Sequence, residues 1–195
     1  MERNTKKYTL NAGIIFISIL AFAYLTTYIH ELGHAIMIWL CGGNILQLNV
    51  NGPLSFDSIS GYVITSMPYN IPIVIGGTLA TTIVAALIYL FYRRTILSYM
   101  MLCASISTLY NAAYALSGFD DFTWLATQSW AGVMLCAGFV IINLYIAQHG
   151  LYDLFDDMWE YRTLDRLGGI ANLGRQTLAA KNYASSMLSV YNYPK

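Results

Sequence analysis

The residues with the clearest chemical signature are His30, Glu31 and His34, which form a His-Glu-x-x-His motif. On an α-helix, positions i and i+4 lie on one face, so His30 and His34 can offer two imidazoles to one metal ion. Glu31 follows the first histidine and can act as general base towards a water on that metal. Zinc lowers the pKa of such a water to about 7, which makes hydroxide available at neutral pH. The motif therefore predicts one Zn²⁺ per chain and metal-assisted hydrolysis, most often of a peptide bond.

The surroundings of the motif argue against coincidence. In a soluble helix, a His-Glu-x-x-His string can arise by chance, with the histidines as surface or hydrogen-bonded core residues. Here the motif lies in the apolar run 10–41, which is longer than the roughly 20 residues that a helix needs to cross a bilayer. Ionisable side chains within a membrane span are costly and usually mark function. We therefore interpret the motif as a functional site.

The composition is that of a membrane protein. Of the 195 residues, 57% are hydrophobic and only 10% are charged, whereas soluble domains are about one quarter charged. The three cysteines lie far apart and have neither zinc-finger nor redox spacing. Because the basic residues form no stripe, no nucleic-acid partner is expected. The expected surroundings are the lipid bilayer.

Hydropathy along the chain predicts an all-α polytopic membrane protein with about four transmembrane helices. Gly42-Gly43, which follows the motif, is typical of a helix end. After residue 150, apolar residues alternate with acids at helical spacing, which predicts an amphipathic helix on the membrane surface or on a partner. We expect a membrane-embedded core at 1–150, and the amphipathic helix with a C-terminal tail at 151–195. The predicted spans are 10–41, 72–92, 98–117 and 129–148.

The segment between the first two spans predicts a small β hairpin or sheet at the membrane edge. Residues 47–51 alternate polar and apolar side chains, as a half-exposed strand does. A strand edge beside a protease site can bind substrate backbone by β-addition, so Leu48, Asn49 and Val50 are candidate substrate-binding residues. An ordinary structured loop is an equally good interpretation.

The basic residues predict the orientation of the chain. With four spans, every Lys and Arg falls on one side, in the N-terminal head, the turn after the second span or the tail. The other two loops, 42–71 and 119–128, contain no Lys or Arg. By the positive-inside rule, this is a multi-pass protein of the cell membrane with both termini in the cytoplasm. The motif then lies near the outer face, where the third span also ends.

The two histidines leave one ligand position to fill, because a catalytic zinc usually has three protein ligands and an open position. Asp120 and Asp121 end the third span and reach the same membrane face as the motif. Either can be the third ligand, and the alternative roles are helix capping or an exposed loop. Asn111, earlier on the same span, is a candidate for binding a substrate carbonyl, while helix–helix hydrogen bonding is an equally reasonable role.

These segments resemble the site-2 protease-type intramembrane zinc metalloproteases, and most closely the compact branch of that group. The resemblance covers residues 20–125 and starts from His30-Glu31-Leu32-Gly33-His34 in the first span. Gly61-Tyr62 then precedes a second span rich in small residues, and Gly118-Phe119-Asp120 lies where the family places its third zinc ligand. The resemblance implies a zinc endopeptidase whose substrate is a membrane-protein helix or its extended segment.

Two features depart from the family pattern. The second-span motif of the family often reads Gly-Pro-x-x-Asn, whereas Gly77-Thr78-Leu79-Ala80-Thr81 lacks both the proline and the asparagine. The aspartate of the family is commonly followed by glycine, but here Asp121 follows Asp120. Alignment on Gly118 favours Asp120 as the ligand, and alignment on Leu125 favours Asp121.

Two other classes of function compete with an intramembrane zinc metalloendopeptidase. The first is a non-catalytic membrane adaptor on the same scaffold, but a dead site would be expected to have lost Glu31. The second is a metal-ion carrier, since intramembrane histidines can conduct ions. Against a carrier, the fourth span offers only Asn143 and Gln148 as polar side chains deep in the membrane.

Overall fold

The computed structural model describes residues 2–50, 61–114 and 121–160 of the chain. Across these ranges the polypeptide is mainly helical, with one antiparallel two-stranded sheet. The elements in chain order are α1 (Glu2–Leu40), β1 (Ile45–Val50), β2 (Gly61–Thr65), α2 (Ile71–Phe91), α3 (Leu97–Tyr114), α4 (Asp121–Gln128) and α5 (Trp130–Glu160). The chain is therefore mostly α, as its hydropathy predicts.

Three helices are long and apolar enough to cross a membrane. Among the described residues, these candidate spans are Thr9–Leu40, Ile71–Phe91 and Trp130–Met158. The first and second agree with the spans predicted at 10–41 and 72–92. Their length and composition make the chain a membrane protein.

Helix α3 corresponds to the span predicted at 98–117, but its composition is not that of a candidate span. Ser98, Ser105 and Thr108 are each 0% exposed, so these polar side chains face other parts of the protein. Their hydroxyls lower the hydropathy of α3 without being placed in lipid. Within the described ranges, three helices meet the criteria for a span, and the predicted count of four is not confirmed.

Helix α5 continues beyond residue 148, where the fourth span was predicted to end. Gly150 lies inside this helix, and a Cβ there would lie 3.0 Å from Cβ of Leu102. This glycine thus serves close packing against α3, and α5 runs past the end predicted for the fourth span at 148. Residues 151–160 are the last turns of α5, so a separate amphipathic helix is not confirmed, and 161–195 lie outside the described residues.

The first helix ends at the predicted glycines. Gly42 has a φ of 81°, a left-handed conformation that glycine adopts without steric cost. The N–H of Gly43 donates to the carbonyl of Ile38 at 2.9 Å, and that of Gly42 donates to Trp39 at 3.0 Å. These bonds form a Schellman motif, which satisfies carbonyls at the end of α1.

Strands β1 and β2 confirm the small sheet predicted after the first span. They pair antiparallel, and Val50 lies opposite Gly61. Val63 of β2 packs with Ile38 of α1 and Ile73 of α2 in a small buried cluster. The hairpin is therefore fastened to the end of α1 and the start of α2, beside the histidine motif.

Helices α1 and α2 approach each other at a pair of glycines. A Cβ on Gly76 would lie 2.6 Å from the carbonyl oxygen of Gly33, so the two backbones are in contact. Asn70 caps the start of α2 by accepting a hydrogen bond from the N–H of Ile73 at 3.1 Å. Small residues in the second span thus permit close helix packing, as predicted, and they bring α2 onto the face of α1 that carries the histidines.

Candidate metal centre

His30, His34 and Asp121 converge on one point, although they belong to α1 and α4. Nε2 of His34 lies 3.1 Å from Nε2 of His30 and 3.1 Å from Oδ2 of Asp121. Nε2 of His30 lies 3.4 Å from the same carboxylate oxygen. Both histidines are only 9% exposed. Among the described residues, these three side chains form a group that could hold a metal ion.

Helix α2 orients His34 through its backbone. Nδ1 of His34 lies 2.7 Å from the carbonyl oxygen of Ile73. Because a carbonyl oxygen only accepts, Nδ1 must carry the proton, and neutral His34 then presents its Nε2 lone pair to the cluster. Metal-ligating histidines typically donate a hydrogen bond from the ring N–H that does not face the metal, and this bond sets the tautomer and the ring orientation.

Gly77 of α2 makes room for both imidazole rings. A Cβ at this position would lie 2.5 Å from Nε2 of His30 and 2.5 Å from Nε2 of His34. Both separations are far shorter than a van der Waals contact, so a side chain would displace the ligand atoms. Gly77 therefore lines the site on the α2 side. It directly follows Gly76, where the two helices cross.

Asp121 reaches the cluster because α4 is firmly anchored. Asp121 is the first residue of this short helix, and Phe122 and Leu125 are its buried anchors. The backbone of Gly132 in α5 packs against the carbonyl of Leu125, where a side chain would not fit. Of the two aspartates predicted as third ligand, the structure places Asp121 beside the histidines, whereas Asp120 lies outside the described residues.

The surroundings of Asp121 favour its ionised form. Burial by itself raises the pKa of this carboxyl. When the imidazoles of His30 and His34 are protonated, their hydrogen bonds and positive charge outweigh burial and hold the pKa of Asp121 well below its ordinary value. The carboxylate thus contributes an anionic oxygen at neutral pH.

The spacing of the three ligand atoms fits a zinc ion. Tetrahedral zinc with bonds of about 2.0–2.1 Å holds its ligand atoms about 3.3 Å apart, and the separations here are 3.1, 3.1 and 3.4 Å. Two imidazole nitrogens and one carboxylate oxygen are also ligands that zinc accepts. Because three electron-rich atoms meet here, the arrangement calls for a proton or a cation between them.

Glu31 lies beside the cluster, against the start of β2. Glu31 is buried, with 6% of its surface exposed. A Cβ on Gly61 would lie 2.6 Å from Cγ and 2.6 Å from Oε1 of Glu31. The backbone of β2 therefore passes directly over this carboxylate and limits where it can point.

The four predicted substrate-binding residues lie on two elements, β1 and α3. Val50 is paired with Gly61, the residue that contacts Glu31. Leu48 and Asn49 precede it on β1, where Leu48 is exposed. Asn111 is half-buried on α3, and no hydrogen bond joins its side chain to the described residues of the cluster. A role for any of them in binding substrate stays a prediction.

Two contacts at the site were not predicted as functional. Gly77 was noted as a small residue of the second span and as the glycine aligned with the Gly-Pro-x-x-Asn motif of the family, and neither observation indicated a contact with the imidazoles. The carbonyl of Ile73 leaves no trace in the sequence, because every residue has one. Gly61, by contrast, was marked by the family resemblance, although not by its contact with Glu31.

Comparison with known families agrees with this geometry. A model of the family described as Peptidase M50B-like matches residues 9–159, which is more than half of the chain. The match covers the motif, the hairpin and the three candidate spans, and it confirms the resemblance to site-2 protease-type peptidases. Among curated proteins and among solved structures, none matches the chain.

Proposed function

Because the chain belongs to the Peptidase M50B-like family, we propose that it is an intramembrane zinc metalloendopeptidase. Its substrates would be peptide bonds of membrane-embedded or membrane-proximal segments. The observation that carries the proposal is the meeting of His30, His34 and Asp121 within 3.1–3.4 Å of one another, with Glu31 alongside. This set combines a three-ligand metal site with a carboxylate that can move a proton.

Each residue of the centre has a distinct part in the proposed reaction. His30, His34 and Asp121 would hold one zinc ion, which would supply Lewis-acid polarisation of the scissile carbonyl and a water acidic enough to react at neutral pH. Glu31 accepts a proton from the attacking water and returns it to the nitrogen of the leaving amine. The Ile73 carbonyl keeps the proton of His34 on Nδ1, so that Nε2 remains available.

The hairpin is the proposed binding surface for an extended substrate. A transmembrane helix hides its peptide bonds in its own hydrogen bonds, so a substrate must unwind before it can be cut. Strand β1 is paired on one side with β2, and Leu48, Asn49 and Val50 would bind unwound backbone by β-addition. The pairing of Val50 with Gly61 supports this, because it links the strand to the contact with Glu31.

The remaining expectations are part of the same proposal. We place both termini in the cytoplasm because every basic residue falls on one side of the four-span topology. If α3 is protected from lipid by the other helices, it can cross the membrane in spite of its composition. We keep the division into a membrane-embedded core at 1–150 and a C-terminal part at 151–195, with α5 running across the boundary between them.

Metal content and cleavage together test the proposal. Purified wild type in detergent is expected to hold about one zinc per chain, and the zinc is expected to be lost in His34→Ala and Asp121→Ala. Asp120→Ala is the matched control, and it should keep the metal. Glu31→Gln should keep zinc but lose cleavage of reconstituted single-span peptides, scored by mass spectrometry.

Two outcomes would count against the proposal. Wild type that takes up no zinc when supplied with it would leave the adaptor as the better function. Cleavage that persists in Glu31→Gln would exclude Glu31 as the proton carrier. Zinc lost in Asp120→Ala and retained in Asp121→Ala would instead exchange the roles of the two aspartates.

A further inference from the structure

The two histidines of the motif differ in whether their Nδ1 atoms have a hydrogen-bond partner. Nδ1 of His34 bonds the carbonyl of Ile73 at 2.7 Å. Nδ1 of His30 is buried and has no hydrogen-bond partner. A histidine that binds metal through Nε2 carries its proton on Nδ1, and this N–H normally donates to a carboxylate, a carbonyl or a water. His30 therefore needs an acceptor that its backbone surroundings do not provide.

Thr26 lies one helical turn before His30 and has a hydroxyl to offer. It is 1% exposed, and its Oγ1 is also without a partner. Residues four apart on a helix share a face, with their Cβ atoms about 5–6 Å apart. Thr26 and His30 therefore form two unsatisfied polar groups side by side in the interior of the protein.

Thr26 and Thr78 are the two buried threonines in the described helices whose hydroxyls have no hydrogen-bond partner. A threonine inside a helix ordinarily bonds the carbonyl three or four residues earlier. Thr27 does so with Ala23 at 3.2 Å, Thr81 with Gly77 at 3.2 Å and Thr108 with Ala104 at 3.4 Å. Thr26 makes no such bond, so its hydroxyl remains available to the histidine on its face.

We propose that Thr26 is a positioning residue for His30. Its hydroxyl accepts, through one bridging water, the hydrogen bond that Nδ1–H of His30 donates. A single water can span the gap left between side chains one turn apart, and it bonds nearly as well as a direct contact. The bridge holds the proton of His30 on Nδ1 and leaves the Nε2 lone pair facing His34 and Asp121. This role rests on the metal site of the proposed function.

Zinc affinity of the full chain tests this role without relying on cleavage. Thr26→Val keeps the shape of the side chain but removes the hydroxyl, and we expect zinc to bind about 10–100-fold more weakly in competition with a chelator. Thr26→Ser restores a hydroxyl and should recover most of the affinity. Thr27→Val is the matched control, because it makes the same change one residue away at a hydroxyl that is already bonded to Ala23.

A second measurement uses wild type alone and so does not depend on how a variant folds. In zinc-loaded protein labelled with ¹⁵N-histidine, NMR should show ring Nδ1–H signals protected from exchange for both His30 and His34. Protection of His34 alone would overturn the proposal.

The outcomes separate this proposal from the one on which it rests. Equal zinc affinity of wild type and Thr26→Val, or equal losses in Thr26→Val and Thr27→Val, would overturn the role of Thr26 and leave the peptidase proposal intact. Failure of Thr26→Ser to recover affinity would mean that packing, and not the hydroxyl, matters. Wild type that binds no zinc would overturn both proposals together.

Discussion

The two ends of the helical bundle use polar residues in opposite ways. The motif end is the part around His30, His34 and Gly77, and the distal end is the part around Asn11, Tyr99 and Asp157. At the distal end, the Tyr99 hydroxyl donates to Oδ2 of Asp157 at 2.5 Å. The amide of Asn11 donates to the backbone carbonyl of Asp157 at 3.1 Å. These bonds tie α1 and α3 to the end of α5.

The size of the packed side chains also differs between the two ends. At the distal end, bulky side chains fill the interior, where Tyr99 packs with Ile15 and Ile96. At the motif end, Gly76 and Gly77 replace such side chains and let backbone approach backbone or imidazole. Polar groups at the distal end therefore fasten helices together, while at the motif end glycines let three electron-rich atoms converge. The comparison predicts that substitutions at the two ends damage different properties.

The largest effect is expected from Gly77→Ala. The added methyl group would lie 2.5 Å from Nε2 of each histidine, so the ligand atoms must separate. We expect zinc affinity to fall by at least about 100-fold, measured by chelator competition on the purified protein. Gly138→Ala is the control, because a Cβ there meets no atom within 4 Å. Normal zinc binding in Gly77→Ala would show that the imidazoles can rearrange around α2.

A more selective effect, on cleavage without loss of zinc, is expected from Gly61→Ala. Its methyl group would lie 2.6 Å from Oε1 of Glu31. It would displace the proposed general base, and the three atoms nearest to it all belong to Glu31. We expect peptide cleavage to fall by about 10²–10⁴-fold, while zinc content stays at the wild-type level. Loss of zinc along with cleavage would mean that the hairpin supports the ligands as well as Glu31.

The smallest effect on the site is expected from Tyr99→Phe at the distal end. This change removes the hydroxyl that donates to the fully buried Asp157. The free energy of unfolding should fall by about 1–3 kcal/mol, measured by thermal denaturation in detergent, with zinc affinity unchanged. A change in zinc affinity instead of stability would contradict the separation of roles between the two ends.

Much of the centre was predictable because its chemistry is local. The i, i+4 spacing of His30 and His34 places both imidazoles on one helix face in any fold that keeps the helix. Gly42 ends α1 because glycine adopts a positive φ at little cost. The alternation in 47–51 likewise identified the strand β1. Each of these features depends on neighbours within a few residues.

The errors concern features that depend on distant neighbours. The polar residues of α3 were interpreted as part of an ordinary span. In the structure, their hydroxyls are buried against other helices. The fourth span was predicted to end at 148, although Gly150 lies inside α5 and packs against Leu102 of α3. In both cases the residue is visible in the sequence, but the part of the protein that it contacts is not.

The sequence by itself pointed to the residues of the candidate centre, because imidazole and carboxylate groups in an apolar helix have few other uses. Only the tertiary structure decided how they are arranged. It placed Asp121 beside the histidines, set the tautomer of His34 through the Ile73 carbonyl and laid Gly61 over Glu31. Those contacts join α1 to α2, α4 and β2, and contacts between separate elements depend on packing distances that no local spacing encodes.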